Sequence, residues 1–478
     1  MMAKNKAFFF DSVLTDSGVE NDCTLEVDDG GFITRLAPHS QPAEATDSTE
    51  SAESADNEPE AQYVPGMVLP GIPNAHSHAF QRAMAGLTER NDGSEASFWS
   101  WRRAMYKLAN RLTPDDMRVI ALELYIEMLK SGYTSVAEFH YLHHGIDGTP
   151  YDNPGEMSLA LLDAAEEAGI AITLLPSLYM TEGFGKTEVS ADQRRFANDL
   201  DGYQKLWESL AKAVGARTNA RLGFAIHSLR AVHGTNLIEA DRLLKSLDQS
   251  APIHIHVSEQ MAEVNEAISH LGATPIRYLH ETVGFDQGWT LIHATHATGA
   301  EVEMIAKACA TVCLCPTTEA NLGDGIFETA GFLATGGFIA IGSDSHISVD
   351  PREELRQLEY QARLYHQKRA IMVDFMTPNV GEALWCRAAE GGADSIGQPT
   401  GYIKPDKRAD LIVLDSNHPV LAGRESSAAI DSFVFSGQPT PVRDVMVGGK
   451  WVVQNGRHPG EEDAAQAYLT TMRSLMTE

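Results

Sequence analysis

The chain predicts an α/β fold: a closed (β/α)8 barrel, TIM-like, with a smaller discontinuous β-domain built from both termini. Three observations carry that expectation. From residue 65 onward, apolar strand-like runs alternate with helical stretches or long loops, the pattern of parallel strands joined by helical crossovers. The runs number eight (66–70, 133–139, 170–176, 221–227, 252–257, 289–293, 311–315 and 338–342), enough to close a barrel whose working face is the rim of strand C-termini. Short β-like bursts stand before the first run and after residue 400. The expected divisions are 1–65 and 398–478 for the β-domain, the second with a terminal helix, and 66–397 for the barrel.

Taken in order, residues 7–37 read as short strands separated by Gly and Asp: Ala7-Phe8-Phe9-Phe10, Thr24-Leu25-Glu26-Val27 and Phe32-Ile33-Thr34. Residues 40–62 are rich in Ser, Glu, Ala and Asp without a hydrophobic pattern, and read as a mobile acidic surface loop. One helix is well signed. Thr113 suits the N-cap, Pro114 the first turn, Asp115 and Asp116 the dipole, and Gly132 the exit. Met117, Ala121, Leu124 and Met128 give it one apolar face. Beyond residue 400, residues 409–415, 433–435 and 445–453 read as β, with Gly448-Gly449 as a hairpin turn.

Composition bounds the function. With 66 acidic against 37 basic residues the net charge is −29, which argues against a nucleic-acid or anionic-membrane surface. The five cysteines form no disulfide or zinc-ribbon framework, and the three between residues 309 and 315 read as buried thiols in an apolar run. The opening residues are too short in apolar length for a signal sequence, and no run of about 18 apolar residues would span a membrane. A cytoplasmic setting is expected.

The chemistry gathers at strand ends. Pro70-Gly71 breaks an apolar run, and His76 and His78 follow at i, i+2, a spacing that projects both to one side of an extended segment. His254 and His256 share a face of the fifth run. The one nearer the mouth, His256, is the expected ligand, and His254 is assigned a supporting role. Glu259 lies just past that strand. His293 ends the sixth run, and Asp344 ends the eighth. An Asp after Gly-Ser alone would read as a helix cap. With three histidines at other strand ends it reads as the fourth ligand. Three imidazoles and a carboxylate suit one Zn2+ per subunit with a position left for water, or Fe2+ or Mn2+. The expected chemistry is hydrolysis at an unsaturated carbon: the metal acidifies water, Asp344 takes its proton, His293 polarises the electrophile, and Glu259 carries a proton to a nitrogen leaving group.

These residues resemble the amidohydrolase superfamily, and Gly342-Ser343-Asp344-Ser345-His346 with the His256-x-x-Glu259 pattern resembles its mononuclear deaminase branch. No lysine stands where binuclear members bridge two metals. Residues 76–87, 98–102, 137–141, 227–232 and 318–325 extend the likeness over nearly the whole chain, to the group that deiminates N-formimino-L-glutamate. The resemblance implies Gln81, Arg102, Tyr141, His227 and Arg230 as holders of a small dicarboxylate substrate, and a homodimer. Arginine forks suit carboxylates in a dry pocket, which agrees with part of that assignment. Two other readings exist. A deaminase of a purine or pyrimidine ring would want stacking aromatics and neutral partners rather than arginines. A non-catalytic scaffold relative would be expected to have lost metal ligands, and here all four are present.

Overall fold

The structure, a computed structural model, describes residues 5–38, 61–89, 98–437 and 439–477. The acidic segment expected as a mobile loop falls almost wholly outside the described residues. The first sheet takes β1 (Lys6–Thr15), β2 (Gly18–Val27), β3 (Ile33–Pro38) and β4 (Gln62–Pro70) from the N-terminal part. The barrel follows with β5 (Ile72–Ser77), β6 (Tyr133–His140), β7 (Ala171–Leu178), β8 (Ala220–Leu222), β9 (Phe224–Ser228), β10 (Ile253–Val257), β11 (Trp289–His293), β12 (Thr311–Leu314) and β13 (Phe338–Ile341). The first sheet is completed by β14 (Leu411–Leu414), β15 (Val442–Val447) and β16 (Lys450–Val453).

That sheet has the order β16-β15-β14-β4-β1-β2-β3, so β4 joins the two halves, parallel to β1 and antiparallel to β14. Here the structure corrects the expectation. The run at 66–70 is not the first barrel strand; it is the end of β4, and the barrel begins after Gly71. Val68 packs into the core of the flanking sheet, whereas Met67 and Leu69 pack into the barrel's core. A strand buried on both faces carries the same continuous apolar signature in either setting. A second correction concerns 433–435, which lie in the helix Ser426–Phe435. Ala429, Ile430, Phe433 and Val434 are its buried residues, the last three at the i, i+3, i+4 spacing of a helix face. A three-residue apolar run cannot distinguish the two periods.

The parallel barrel sheet runs β13-β12-β11-β10-β9-β7-β6-β5, and β8, off this path, pairs with β7. It closes between β5 and the segment after β13. Ser77 bridges Asp344 in parallel, Asp344 N–H donates to His76 O (3.0 Å), and His78 N–H donates to Asp344 O (3.2 Å). Gly342 permits that approach: a Cβ there would lie 2.7 Å from His76 Cβ and 2.9 Å from its backbone N and O.

The helix Pro114–Ser131 forms as its caps predict. Thr113 and Asp116 make a reciprocal capping box, Gly132 ends the helix in the left-handed region, and Met117, Ala121, Leu124 and Met128 are buried. Gly448 and Gly449 both have positive φ (54° and 71°), as a tight primed turn between β15 and β16 requires. Of the cysteines expected to be buried, Cys313 and Cys315 are; Cys309 is exposed at a helix C-cap. Among the described residues no helix is long and apolar enough to cross a membrane.

Candidate active site

The closed seam brings the two ends of the barrel sequence face to face. His76 rides on β5 and His78 follows it; His256 lies on β10 and Asp344 just beyond β13. Nε2 of His256 stands 3.0 Å from Nε2 of His76 and 3.3 Å from Nε2 of His78. Oδ1 of Asp344 lies 3.5 Å from Nε2 of both His76 and His78. The tautomers of two rings follow from their other nitrogens. Nδ1–H of His78 donates to the carbonyl of Phe139 (2.7 Å), and Nδ1–H of His256 to that of His227 (2.8 Å), so both Nε2 lone pairs face the same point. Burial holds His76 and His256 well below the usual histidine range, with neighbouring imidazoles adding to the effect; burial also lowers His78 against the pull of Asp344. Lone pairs this close repel one another unless a cation lies between them. Two nitrogens about 2.0–2.1 Å from one tetrahedral ion would be separated by about 3.3 Å, so the donor set fits a single divalent metal.

His293 ends β11 beside this cluster. Its Nε2 lies 3.9 Å from Asp344 Oδ2 and 3.9 Å from Glu259 Oε1, and its Nδ1 lies 3.2 Å from Glu319 Oε1. Burial opposes charge on this ring, but the carboxylates of Glu259, Glu319 and Asp344 outweigh it and push its pKa well above the ordinary value. Glu319 is itself fixed by the backbone N–H of Cys315 (2.8 Å). Glu319 falls within the matching stretch 318–325, where the sequence assigns it no role. Its signal was its place just beyond the seventh barrel strand, on the rim where functional groups gather. His254 takes the supporting role expected of it, donating from Nε2 to Ser395 O (2.8 Å).

Above the cluster lies a small cavity of about 50 Å³, lined among others by Gln81, Arg102, Tyr141, His227 and Arg230, so all five expected substrate residues meet there. Arg230 is 6% exposed, with Nη2 3.7 Å from Glu259 Oε2. Arg102, on the helix Phe98–Ala109, donates to Tyr179 OH (3.1 Å) and stacks over the Tyr106 ring (5.1 Å). Gln81 Nε2 donates to Tyr141 OH (2.8 Å), and the Oε1 of Gln81 is buried with no hydrogen-bond partner among the described residues. Tyr179 was missed. It directly follows β7, and that position at a strand's C-terminal end was the available signal. Its ring packs edge-on against His227 (4.6 Å) and its hydroxyl holds Arg102 toward the cavity. Arg82, next to Gln81, is tied elsewhere: it donates to His346 O and to Glu127, both at 2.8 Å. The cavity carries both signs, Arg102 and Arg230 on the one hand and Glu259, Asp344 and the imidazoles on the other, and they meet where Arg230 approaches Glu259.

Residues 67–452 match the model of the amidohydrolase family. A formimidoylglutamate deiminase of Pseudomonas aeruginosa is 44% identical over 470 residues, covering 98% of this chain and 99% of that one. Among solved structures, an amidohydrolase from Brucella melitensis superposes with a TM-score of 0.90 at 37% identity, covering 98% of this chain and 100% of its own. An adenosine deaminase from Xanthomonas campestris with bound zinc shares the fold, with a TM-score of 0.79 at 17% identity and 99% of both chains covered.

Proposed function

The chain belongs to the amidohydrolase family, and on that footing we propose that it hydrolyses N-formimino-L-glutamate to N-formyl-L-glutamate and ammonia, a step of histidine degradation. The observation that carries this reading is the polarity of the cavity. N-formimino-L-glutamate is a cationic amidine at one end and carries two carboxylates toward the other. Arg102 and Arg230 would take the carboxylates, and Glu259 and Asp344, which share the cavity lining with them, the amidinium. A neutral purine or pyrimidine ring would offer neither guanidinium a carboxylate to bind.

His76, His78, His256 and Asp344 would hold one divalent ion, and we take it to be Zn2+, with Fe2+ and Mn2+ as the alternatives that metal analysis separates. When bound, such an ion supplies Lewis acidity that brings the pKa of water toward neutrality. The chain's own residues do the rest. Asp344 accepts the proton of the water that attacks the formimino carbon. His293, cationic between its carboxylates, turns Nε2–H toward the adduct. Glu259, 3.9 Å from His293, carries a proton to the nitrogen, so the C–N bond breaks with ammonia as the leaving group and the carbonyl of the formyl product forms. Gln81 and Tyr141 hold the substrate backbone beside the rim, and His227 combines a lining side chain with the carbonyl that orients His256. A cytoplasmic homodimer is the setting we assign, and sedimentation or light scattering checks the assembly.

The test is ammonia release from N-formimino-L-glutamate, compared with guanine and adenosine, with metal analysis of the same sample. Turnover confined to the ring compounds, or a fully active metal-free protein, would overturn the reading.

A further inference from the structure

Behind the ligands runs a buried chain of polar side chains that the mechanism above leaves unused. Ser77 sits between His76 and His78, and the alternation of an extended segment turns it away from the mouth. It is in register with Glu138 on β6. Both oxygens of Glu138 are engaged. Oε2 accepts from Ser77 Oγ–H (2.6 Å) and from Tyr125 OH (3.1 Å), and Oε1 accepts from the backbone N–H of Ala79 (2.7 Å). The carboxylate thus grips the residues on either side of His78.

The chain continues across the barrel seam. Ser77 Oγ lies 3.2 Å from Nε2 of His346, Nδ1 of His346 lies 3.0 Å from Ser343 Oγ, and Asn74 Nδ2 donates to Ser343 Oγ (2.6 Å). Its direction is determined. Ser77 gives its hydrogen to Glu138, so its oxygen accepts from His346 Nε2–H. His346 then accepts at Nδ1 from Ser343, whose oxygen accepts from Asn74. Asn74 Oδ1 closes the loop by accepting Ser343 N–H (3.1 Å). Ser343 precedes Asp344, so the two strands that carry three of the four ligands are tied through one acceptor at its end. A carboxylate buried in a barrel wall is costly, and an apolar residue there would pack without that cost.

We propose that Glu138 is a positioning residue for the metal centre: it sets the direction in which His78, and through Ser77 His76, present Nε2, and it couples that strand to the Asp344 segment. The inference rests on the metal site assigned above. Outer groups that orient ligands typically govern metal affinity about 10- to 100-fold.

The experiment is Zn2+ binding to chelator-stripped full-length protein, read by competition with a chromophoric chelator, for wild type, Glu138→Ala, Glu138→Gln, Ser77→Ala and His256→Ala. Steady-state rates on N-formimino-L-glutamate and melting curves accompany it. Glu138→Ala is expected to weaken Zn2+ binding about 10- to 100-fold and to lower kcat with KM nearly unchanged. Glu138→Gln keeps an acceptor for Ala79 N–H and lies between it and wild type; Ser77→Ala does the same from the other side of the contact. Should Glu138→Ala fail to fold, Glu138→Gln and Ser77→Ala decide the matter. A lower Tm with Zn2+ affinity like that of wild type in these variants overturns the inference, because a merely structural role would do just that. His256→Ala binding Zn2+ like wild type would instead sink the metal site itself, so the two failures are distinguishable.

Discussion

Replacing Arg230 by Met tests the polarity of the cavity most directly. The guanidinium is buried to 6% exposure and lies 3.7 Å from Glu259, at the junction between the acidic and basic ends. A carboxylate meeting it gains a forked, charge-assisted pair shielded from water. Each hydrogen bond to a charged group contributes about 1.5–3 kcal/mol net, and a fork that loses both bonds loses about 3 kcal/mol or more. Methionine keeps the length and an adaptable shape, so the packing term is small. At about 1.4 kcal/mol per decade, 3 kcal/mol is a loss of about 100-fold in affinity. The carboxylate end is bound alike in ground and transition states, so the loss falls on KM rather than kcat. The assay is initial-rate ammonia release from N-formimino-L-glutamate and from formamidine, which carries the reacting group and no carboxylate. Arg230→Met is expected to lose about 100-fold in kcat/KM on the first and about threefold or less on the second. An unchanged KM for the dicarboxylate would move the carboxylate site elsewhere. Equal losses on both substrates would show that Arg230 acts on the chemistry through Glu259, and the division of the cavity would be refuted.

Asp344→Asn and His293→Asn are each expected to cut kcat by about 10²- to 10⁴-fold, the scale of a lost proton-transfer group, with the melting curve intact; near-normal turnover in either removes that residue's role. Gly342→Ala drives a methyl to within 2.7 Å of His76 Cβ, so the seam must shift. We expect a destabilisation of about 1–3 kcal/mol by denaturant titration, together with reduced bound metal by elemental analysis. Glu319→Gln keeps an acceptor for His293 Nδ1–H, 3.2 Å away, and removes the negative charge. Because that carboxylate helps hold the His293 pKa above its ordinary value, its loss lowers the pKa, and the cationic form disappears at lower pH. The alkaline limb of the kcat/KM profile should therefore move down in pH, and a limb that stays in place would separate Glu319 from the chemistry.

The site was more legible than the strand that carries it. His76, His78, His256 and Asp344 could be read from sequence because each stands where an apolar run stops, and strand ends gather at one rim. The strand before His76 was misplaced because β4 is apolar on both faces, serving two cores at once. Alternation fails as a signal wherever neither face meets water. The helix at 114–131 was readable from its caps, which are local, whereas 433–435 was too short for either period to register. Tyr179, Glu319 and Glu138 share another obstacle. None stands in a motif whose spacing implies a ligand, and their partners Arg102, His293 and Ser77 lie 77, 26 and 61 residues away. Contacts of that kind exist only once the barrel has closed.

Closure also accounts for the backbone at the rim. Ser258 (φ 53°), His293 (68°), Ala294 (49°), Asp344 (47°) and His346 (60°) all occupy the left-handed region, and none is glycine. A non-glycine residue there costs about 1–2 kcal/mol, so these conformations persist only because the surroundings impose them. The imposing contacts are visible: Asp344 N–H is held by His76 O and His296 N–H by Ser258 O, each at 3.0 Å. At Asp344 and His293 glycine would relieve the strain and delete the carboxylate or the imidazole. The fold bears the strain where the chemistry needs a side chain and uses glycine at 342, where a side chain would strike His76. Strain and relief thus alternate within five residues of one segment, which is the pattern expected when the position of a functional group, and not the stability of its own turn, determines the residue.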